Sequence, residues 1–467
     1  MLRGDGGNIM AEYTHLSSIA DTESPLLEMS PSEAARFLRS KGIKRFYVIT
    51  DPLTAEVRAS HPILSPVAET LGQDRRDFDR HEGIFCEVSA VADMIHGAFV
   101  HRTCRGQAQG GTRFWTYPTL MSFLRDGIRL SRGMTHKNAL AGLWWGGGKG
   151  VMSRPTAEEL NQQEIRGEIF NEYGRFISSI RGCYITAEDV GTATEDMDAI
   201  FSETRFITCI PKAKGGSGNP SAMTALGVIR GMEAALDHIT GIDRSGQKPS
   251  FHSSPLSGKH VVVQGAGHVG EVIIDLALRS GARVTATDIS AQRLDQLRDQ
   301  WHGRAVELIC CAPDDLSPLS FDCDILCPAA TGGALNPQTI PTIKAPIICG
   351  AANNQLEDPD RDGLALKERE ILYLPDFLVN RMGIVNCANE QYGSVDDDPI
   401  LAQHLDYDWP QSVYQTSQRV LKRSHEGAHP HYAAVTLAEE LSMELHPIWG
   451  HRGQGVINSL IKSGWAE

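Results

Sequence analysis

The sequence predicts an α/β fold in more than one domain, and three observations lead to this prediction. The chain has 467 residues, too many for one hydrophobic core, and this length corresponds to about two to three domains. Its content of 41% hydrophobic and 22% charged residues is that of an ordinary soluble globular protein. In the second half of the chain, short apolar runs alternate with helical patterns, which is typical of a parallel sheet with helical crossovers.

Charge and composition exclude several classes of partner. The formal net charge of −14 argues against nucleic acid or an anionic membrane as the main partner. The chain begins without a basic segment followed by an apolar one, and no stretch approaches the roughly 20 apolar residues of a membrane span, so we expect a cytoplasmic protein. The ten cysteines are scattered without CxxC spacing, so we expect free thiols and no metal site.

The first 80 residues carry no catalytic pattern. Residues 1–30 are polar and aperiodic, which predicts a loose terminus. A helix start at residues 31–38 and a strand, RFYVIT, at residues 45–50 follow. We interpret this segment as an accessory or oligomer-contact extension.

The next region leads into a segment with two lysines. Two strands, a glycine-rich turn over residues 106–113 and an amphipathic helix over residues 117–133 are predicted before MTHKNALAGLWWGGGKGVM, residues 134–152. Lys137 and Lys149 are candidate anion ligands or bases, because burial lowers the pKa of a lysine. The alternative is two ordinary lysines, one near a helix end and one reaching solvent from a strand. The glycine triplet is expected to permit close approach of the backbone and positive φ.

A candidate catalytic carboxylate follows. A helix is predicted over residues 164–180, and the run CYITAEDVG then predicts a strand that ends near Asp189. Loops at strand ends often present catalytic carboxylates, and the alternative is an aspartate that caps a turn. The Gly, Pro and Ser cluster PKAKGGSGNP at residues 211–220 predicts a hinge between domains.

The most informative motif is VVVQGAGHVGEVIIDLALRSGARVTATD. It has GxGxxG spacing at Gly265, Gly267 and Gly270, between a strand and a helix, and a second strand ends at Asp288. In a dinucleotide-binding fold such glycines allow the tight turn, the approach of the pyrophosphate to the helix N-terminus, and close helix packing. Asp288 is expected to accept hydrogen bonds from the adenosine ribose and to repel a 2′-phosphate, which favours NAD over NADP.

Small and amide residues end the later strands. Ligands of open α/β sheets lie outside the carboxyl ends of the strands, so we expect these residues to line the nicotinamide cleft. They are Ala329, Ala330, Asn353, Asn354, Asp376 and Asn380.

Several stretches together resemble a known enzyme family. Between residues 81 and 393 the chain contains, in order, GGTRFWTY, RGMTHKNALAGLWWGGGKGV, YITAEDVGTATEDMD, SGNPSAMTALGVIRGM, the glycine motif, GAANNQL and YLPDFLVNRMGIVNCANEQYG. These resemble the glutamate, leucine, phenylalanine and valine dehydrogenases, and most of all the leucine dehydrogenases. The resemblance implies reversible NAD-dependent oxidative deamination of an L-amino acid to a 2-oxo acid and ammonium.

The same resemblance implies a role for each site residue. Lys137 corresponds to the lysine that binds the substrate α-carboxylate, Lys149 to the catalytic lysine, and Asp189 to the aspartate that exchanges protons with the amino group. The other positions that correspond to substrate-binding residues are Gly110, Gly111, Met134, Asn354, Gln109, Ala187, Ile384 and Cys387. The positions that correspond to cofactor-binding residues are Gly265, Gly267, Gly270, Asp288, Thr224, Ala330, Asn353 and Asn380. No metal is implied.

The resemblance also implies a division of the chain. An extension over residues 1–80 precedes a substrate-binding and oligomerisation domain over 81–215, a Rossmann-type NAD-binding domain over 216–390, and C-terminal helices over 391–467 that return to the substrate domain. A cleft separates the two domains. The implied partners are an amino acid or 2-oxo acid and further copies of the chain in a homo-oligomer.

Some positions depart from the family pattern. Gln109 stands where the leucine dehydrogenases have leucine in the side-chain pocket, and an amide without a partner there costs roughly 1–3 kcal/mol, which favours a polar or aromatic substrate over a branched-chain one. Trp144 and Trp145 replace smaller residues and are expected to reshape the pocket wall.

Arg381 and Met382 replace two small residues at the expected floor of the cleft. With the long extension, they motivate an alternative from another class, a catalytically impaired relative that binds an amino acid or nucleotide as a sensor. A dehydrogenase for another substrate class, such as a hydroxy acid, is a second alternative.

Overall fold

The structure is a computed structural model that describes residues 25–155, 163–393, 395, 397–425 and 428–467. It contains two sheets, each packed against helices, so the predicted α/β class is confirmed. The loose terminus was predicted for residues 1–30, of which residues 1–24 lie outside the described residues. The prediction is wrong for the rest, because Pro25–Glu28 forms a short helix that buries Leu26 and Leu27.

The first sheet is built from the N-terminal half of the chain. The elements of this half are α1 (Pro25–Glu28), α2 (Pro31–Ser40), β1 (Arg45–Thr50), β2 (Val57–Ala59), α3 (Ser65–Gln73), β3 (Gly83–Val88), β4 (Ile95–Arg102), β5 (Ala108–Gln109), β6 (Thr112–Trp115), α4 (Leu120–Leu140), β7 (Gly146–Ser153), α5 (Gln163–Ser179), β8 (Tyr184–Ile185) and α6 (Thr194–Phe201). The strand order is β2-β1-β3-β4-β7-β5-β8, with β6 also paired to β7. The pairs from β2 to β7 are antiparallel, whereas β5 pairs in parallel with β7 and β8.

The second sheet is parallel throughout. Its elements are α7 (Ser221–Thr240), β9 (His260–Gln264), α8 (His268–Arg279), β10 (Arg283–Asp288), α9 (Ala291–Gln300), β11 (Val306–Cys310), β12 (Ile325–Pro328), β13 (Ile347–Cys349), α10 (Pro359–Glu368), β14 (Leu372–Leu374), α11 (Asp376–Val379) and α12 (Met382–Glu390). The order β11-β10-β9-β12-β13-β14 reverses direction beside β9, and this switch point brings the loop after β9 to the ligand-binding edge.

The C-terminal helices contact both halves of the chain. They are α13 (Pro399–His404), α14 (Val413–His425), α15 (Pro430–Ser442) and α16 (Arg452–Lys462). Helix α14 packs on α7, and α15 packs on α4. Helix α16 buries Ile457 and Leu460 in the core of the first sheet.

The N-terminal extension is an integral layer of the first sheet. Strand β1 pairs with β3 and so covers what would otherwise be an edge of the sheet. Leu38, Phe46 and Leu71 of the extension share a hydrophobic core with Phe99 and Phe123. The extension therefore contributes structure to the sheet that carries Lys149.

Helix α4 lies directly against the glycine-rich strand β7. A methyl group at Gly147 would overlap Thr135 of α4, and one at Gly148 would lie 2.6 Å from the Tyr184 ring. The three glycines have extended backbone and not the positive φ that the sequence led us to expect, so what they supply is the missing side chain. Helix α4 also continues beyond the predicted end, to Leu140, and therefore carries Lys137. The described helices are all too short or too polar to cross a lipid bilayer.

Candidate active site

A cavity of about 550 Å³ lies between the first sheet and the carboxyl ends of the second sheet. It is lined by these predicted site residues: Lys137, Lys149, Asp189, Gly111, Met134, Asn354, Ala187, Ile384, Cys387, Thr224, Gly267, Ala330, Asn353 and Asn380. The predicted residues that do not line it are Gln109, Gly110, Gly265, Gly270 and Asp288. Both lysines of the segment 134–152 thus face one space.

Lys149 and Asp189 form a buried ion pair in this cavity. The Nζ atom of Lys149 on β7 lies 2.8 Å from Oδ2 of Asp189, in the loop after β8. The Nε atom of Arg113 lies 3.5 Å from the same carboxylate oxygen. Burial lowers the pKa of Lys149, although Asp189 opposes this effect. Burial raises the pKa of Asp189, but the charges of Lys149 and Arg113 outweigh it and hold the pKa below its usual value.

Lys137 approaches the cavity from α4. Its Nζ atom donates to Oδ1 of Asn353 at 3.4 Å, and this oxygen also accepts a hydrogen bond from Asn380 at 2.8 Å. Burial lowers the pKa of Lys137 to about 8, against the opposing charge of Asp376, and the charge of Lys149 lowers it further. Two cationic groups that influence each other across one cavity can bind an anion together.

Asp376 and Asn354 form the opposite wall. The backbone N–H of Asn354 donates to Oδ2 of Asp376 at 3.0 Å, and Asn354 has a left-handed backbone with φ of 53°. Burial raises the pKa of Asp376. These contacts fix the loop after β13 beside Lys137.

The glycine loop after β9 has the shape that a dinucleotide requires. Gly265 has φ of 100°, and a methyl group at Gly270 would overlap the Gly265 carbonyl, so both positions need glycine. Gly267 caps the N-terminus of α8 and has open space where a side chain would point. Asp288, at the end of β10, accepts a hydrogen bond from the Ala266 N–H at 2.8 Å. A pyrophosphate can therefore approach the Gly267 backbone at a helix N-terminus.

Gly110 and Gly111 are required by close packing. A methyl group at Gly110 would lie 2.9 Å from the Met134 side chain, and one at Gly111 would lie 2.7 Å from the Asp189 Cβ. The pair therefore lets the loop after β5 pass between helix α4 and the loop that carries Asp189.

Gln109 is buried behind the cavity wall. Its side chain is inaccessible to solvent, and neither amide atom has a hydrogen-bond partner among the described residues. Gln109 of β5 lies opposite Gly147 of β7. Lys149 is two residues after Gly147 on β7, so Gln109 and Lys149 face the same side of the sheet. The expectation that it lines the pocket is wrong for this structure, because the cavity ends at Gly111 and Met134.

Two family models match the chain. The model described as "Glu/Leu/Phe/Val dehydrogenase, dimerisation domain" matches residues 91–206, and "Glutamate/Leucine/Phenylalanine/Valine dehydrogenase" matches residues 215–444. The chain is also 40% identical over 366 residues to the leucine dehydrogenase of Bacillus subtilis, covering 78% of this chain and 91% of that one. The chain belongs to the Glu/Leu/Phe/Val dehydrogenase family.

Other members of this family and a solved structure agree with the assignment. The valine dehydrogenase of Streptomyces coelicolor is 36% identical over 351 residues, which cover 74% of this chain and 88% of that enzyme. The crystal structure of L-tryptophan dehydrogenase from Nostoc punctiforme superimposes with a TM-score of 0.61 at 30% identity, covering 78% of this chain and 96% of that one.

Family membership confirms the resemblance found in the sequence. The chain is an amino-acid dehydrogenase, an oxidoreductase of an NAD(P)-dependent family that catalyses oxidative deamination, and the sensor alternative is not favoured. Its substrates are an amino acid and a 2-oxo acid.

Arg381 and Met382 do not face the cleft, contrary to the expectation from the family pattern. The buried Arg381 guanidinium donates to the carbonyls of Leu140, at 2.5 Å, and Gln411. Burial lowers its pKa to about 9. Met382 packs in a separate apolar cluster with Val413. Arg381 thus joins the C-terminal end of α4 to the segment before α14.

The two tryptophans also lie outside the cavity lining, so the expectation that they reshape the pocket wall is wrong. Trp144 is 41% exposed. The Arg105 guanidinium carbon lies over the Trp144 ring, 4.2 Å from the centroid of that ring. Trp145 is buried in the core of the first sheet.

Two residues of the site were missed by the sequence reasoning. Arg113 contacts Asp189. Arg113 of β6 lies opposite Val151 of β7, and Val151 is two residues after Lys149, so Arg113 and Lys149 face the same side of the sheet. Strand alternation after the glycine pair could have identified it. Cys209 lines the cavity, and its Sγ lies 3.0 Å from that of Cys387, which no spacing in the sequence indicates.

Proposed function

We propose that this dehydrogenase catalyses reversible NAD-dependent oxidative deamination of an L-amino acid, with Lys149 and Asp189 as its proton-transfer residues. The observation that carries this proposal is the buried 2.8 Å ion pair between them, in a cavity also lined by Gly267 of the glycine loop. A buried lysine with a lowered pKa is suited to exchange protons near neutral pH.

Lys137 binds the α-carboxylate of the substrate in this proposal. Its ammonium group projects from a rigid helix into the cavity, and the neutral partner that accepts its hydrogen bond, Asn353, does not cancel its charge. A charge-assisted hydrogen bond of this kind would direct the substrate Cα toward the nicotinamide side of the cleft.

When bound, NAD would supply the acceptor for the hydride that leaves the substrate Cα. Neutral Lys149 takes a proton from the water that adds to the imine carbon, and its ammonium form then stabilises the carbinolamine oxygen. Asp189 relays the proton from Lys149 to the nitrogen, and the neutral Lys149 then takes the carbinolamine hydroxyl proton as the carbonyl forms. The C–N bond breaks, and ammonia leaves and is protonated to ammonium in water. The positive charge of Arg113, 3.5 Å from the Asp189 carboxylate, favours the ionised form of Asp189.

The choice of NAD over NADP rests on Asp288. Its carboxylate ends β10 beside the glycine loop and accepts hydrogen bonds from Ala266 and Ser290. A 2′-phosphate on the ribose would carry negative charge to this carboxylate, so NAD is the expected cofactor. The residues that would hold it are Gly265, Gly267, Gly270, Asp288, Thr224, Ala330, Asn353 and Asn380.

The substrate side chain would lie against Met134, Ala187, Ile384 and Cys387, a largely apolar surface. Gln109 lies behind this surface and does not line the cavity, so its amide, which has no partner among the described residues, does not select the substrate side chain. We expect an apolar side chain, aliphatic or aromatic, to fit this surface best.

The working form in this proposal is a cytoplasmic homo-oligomer. Support comes from the family model over residues 91–206, which is described as a dimerisation domain. Light scattering during size-exclusion chromatography tests the oligomer: a mass of at least two chains is expected, and a monomer at working concentration would contradict it.

A substrate screen tests the activity itself. NADH formation is followed with each of the twenty L-amino acids at alkaline pH, and NADH oxidation with 2-oxo acids is followed with and without ammonium. We expect turnover with some amino acids and an absolute need for ammonium in reverse. Ligand binding without turnover would support the sensor alternative, and oxidation independent of ammonium would support a hydroxy-acid dehydrogenase.

A further inference from the structure

Glu82, Cys104 and His451 meet at a point outside the active-site cavity. Glu82 precedes β3, Cys104 follows β4, and His451 lies at the N-terminus of α16. One ligand atom of each lies within 4.8 Å of the others. The Nε2 atom of His451 lies 3.0 Å from Oε1 of Glu82 and 4.0 Å from Sγ of Cys104.

The donor set and its spacing suit a transition-metal ion. Zinc binds thiolate sulfur at about 2.3 Å, imidazole nitrogen at about 2.0 Å and carboxylate oxygen at about 2.1 Å, which separates tetrahedral ligand atoms by about 3.3–3.8 Å. The two separations from His451 Nε2, 3.0 Å to Glu82 and 4.0 Å to Cys104, lie on either side of this range, and all three ligand atoms lie within 4.8 Å of one another. Cysteine, histidine and glutamate together favour zinc over magnesium or calcium, which prefer oxygen ligands alone.

The surrounding contacts hold these side chains in position. The Thr103 N–H donates to Oε1 of Glu82 at 2.7 Å, and its hydroxyl donates to Oε2. The His446 N–H donates to the Cys104 carbonyl at 2.9 Å. A methyl group at Gly453 would overlap Thr103, so α16 lies directly on this loop. The three ligand groups are therefore fixed by neighbours that orient them.

We propose that Glu82, Cys104 and His451 bind one zinc ion that fastens α16 to the first sheet. Glu82 and His451 are half-buried, so the fourth position is open to a water molecule. The metal joins a loop of the sheet to a C-terminal helix whose Ile457 and Leu460 pack on that sheet. The alternative is a hydrogen-bonded His–Glu pair without a metal.

This site lies largely outside the regions that the family models match. Those models cover residues 91–206 and 215–444, so Glu82 and His451 fall beyond them and only Cys104 falls within. The three ligands are also far apart in the sequence, so no local spacing such as CxxC indicates them.

The test uses the full-length protein, purified without a histidine tag or chelator. Zinc content is measured by mass spectrometry, and the apoprotein is titrated with Zn²⁺ and, separately, with Co²⁺. We expect about one zinc per chain, a rise in melting temperature when Zn²⁺ is added to the apoprotein, and a cobalt–thiolate absorption band. Absence of bound zinc together with an unchanged melting temperature would overturn the proposal in favour of the His–Glu pair.

Variants assign the ligands. Cys104→Ser and His451→Gln should each weaken zinc binding at least tenfold, and Cys104→Ser should abolish the cobalt–thiolate band. Cys310→Ser and His302→Gln, at exposed positions, serve as matched controls and should behave as wild type. If Cys104→Ser does not fold, Glu82→Gln, which has the same shape, is tested instead. Equal zinc affinity in wild type and in a folded ligand variant would overturn the proposal.

Discussion

The ammonium group of Lys149 lies 2.8 Å from the carboxylate of Asp189, inside a cavity shared by the two sheets. Lys149 comes from a central strand and Asp189 from a loop, and both are largely shielded from water. A buried charge is costly without a partner, so each residue stabilises the ionised form of the other. The central claim is that this pair moves protons during deamination.

Lys137 makes substrate binding dependent on pH. Burial lowers its pKa to about 8, so the cation that binds the carboxylate is present below this pH and is lost above it. We expect the KM of a 2-oxo acid, which has no amino group to titrate, to rise as the pH passes 8. Lys137→Arg should move the rise to higher pH, since arginine keeps its proton. An identical pH profile in this variant would contradict the assignment.

Asp288 determines cofactor choice. Wild type should use NAD in strong preference to NADP. Asp288→Asn keeps an oxygen that can accept the Ala266 hydrogen bond but removes the charge, so the ratio of kcat/KM for NADP to that for NAD should rise by about tenfold or more. Comparable activity of the wild type with both cofactors would refute this role.

Gln109 is expected to affect stability and not specificity. Gln109→Leu removes a buried amide that has no hydrogen-bond partner among the described residues, so the melting temperature should rise. Because Gln109 does not line the cavity, the ratio of kcat/KM for L-leucine to that for amino acids with a polar side chain should stay near the wild-type value. Thermal unfolding and steady-state kinetics measure the two effects. A lower melting temperature, or a clear change in this ratio, would contradict the account of this residue.

Arg381 is expected to act on stability and not on the pocket. Arg381→Met leaves the Leu140 and Gln411 carbonyls without their donor, which costs about 1–3 kcal/mol for each group that stays unpaired. The melting temperature should fall while the substrate KM remains near the wild-type value. A changed KM at an unchanged melting temperature would mean that the side chain reaches the substrate.

Local patterns in the sequence predicted the elements around the glycine motif better than the shape of the pocket. The glycine motif, with Asp288 at the following strand end, rests on spacing within one βαβ unit, and these elements form as expected. The predicted helix ended at residue 133, before Lys137, yet α4 continues to Leu140, and the chain turns at Gly142, whose φ is 70°. The apolar and small residues after Lys137 fit a helix as well as a loop, so periodicity alone left this boundary open.

The remaining errors concern contacts between distant segments. Arg381 occupies a family pocket position in the sequence, but its side chain turns toward carbonyls supplied by α4 and the segment before α14. The proximity of Cys209 to Cys387 likewise depends on how the segment before residues 211–220 lies against α12. Tertiary packing determines these side-chain directions and contacts, and no local sequence pattern encodes them.

The most direct test of the central claim is Lys149→Ala, with turnover and NADH binding measured on the same preparation. Lys344→Ala, at an exposed lysine, is the matched control. We expect kcat to fall by about 10³-fold or more, because the proton acceptor is lost, while the NADH dissociation constant from fluorescence titration stays near the wild-type value. Equal loss of turnover and NADH binding, or turnover close to that of the wild type, would contradict the placement of Lys149 in the chemical step.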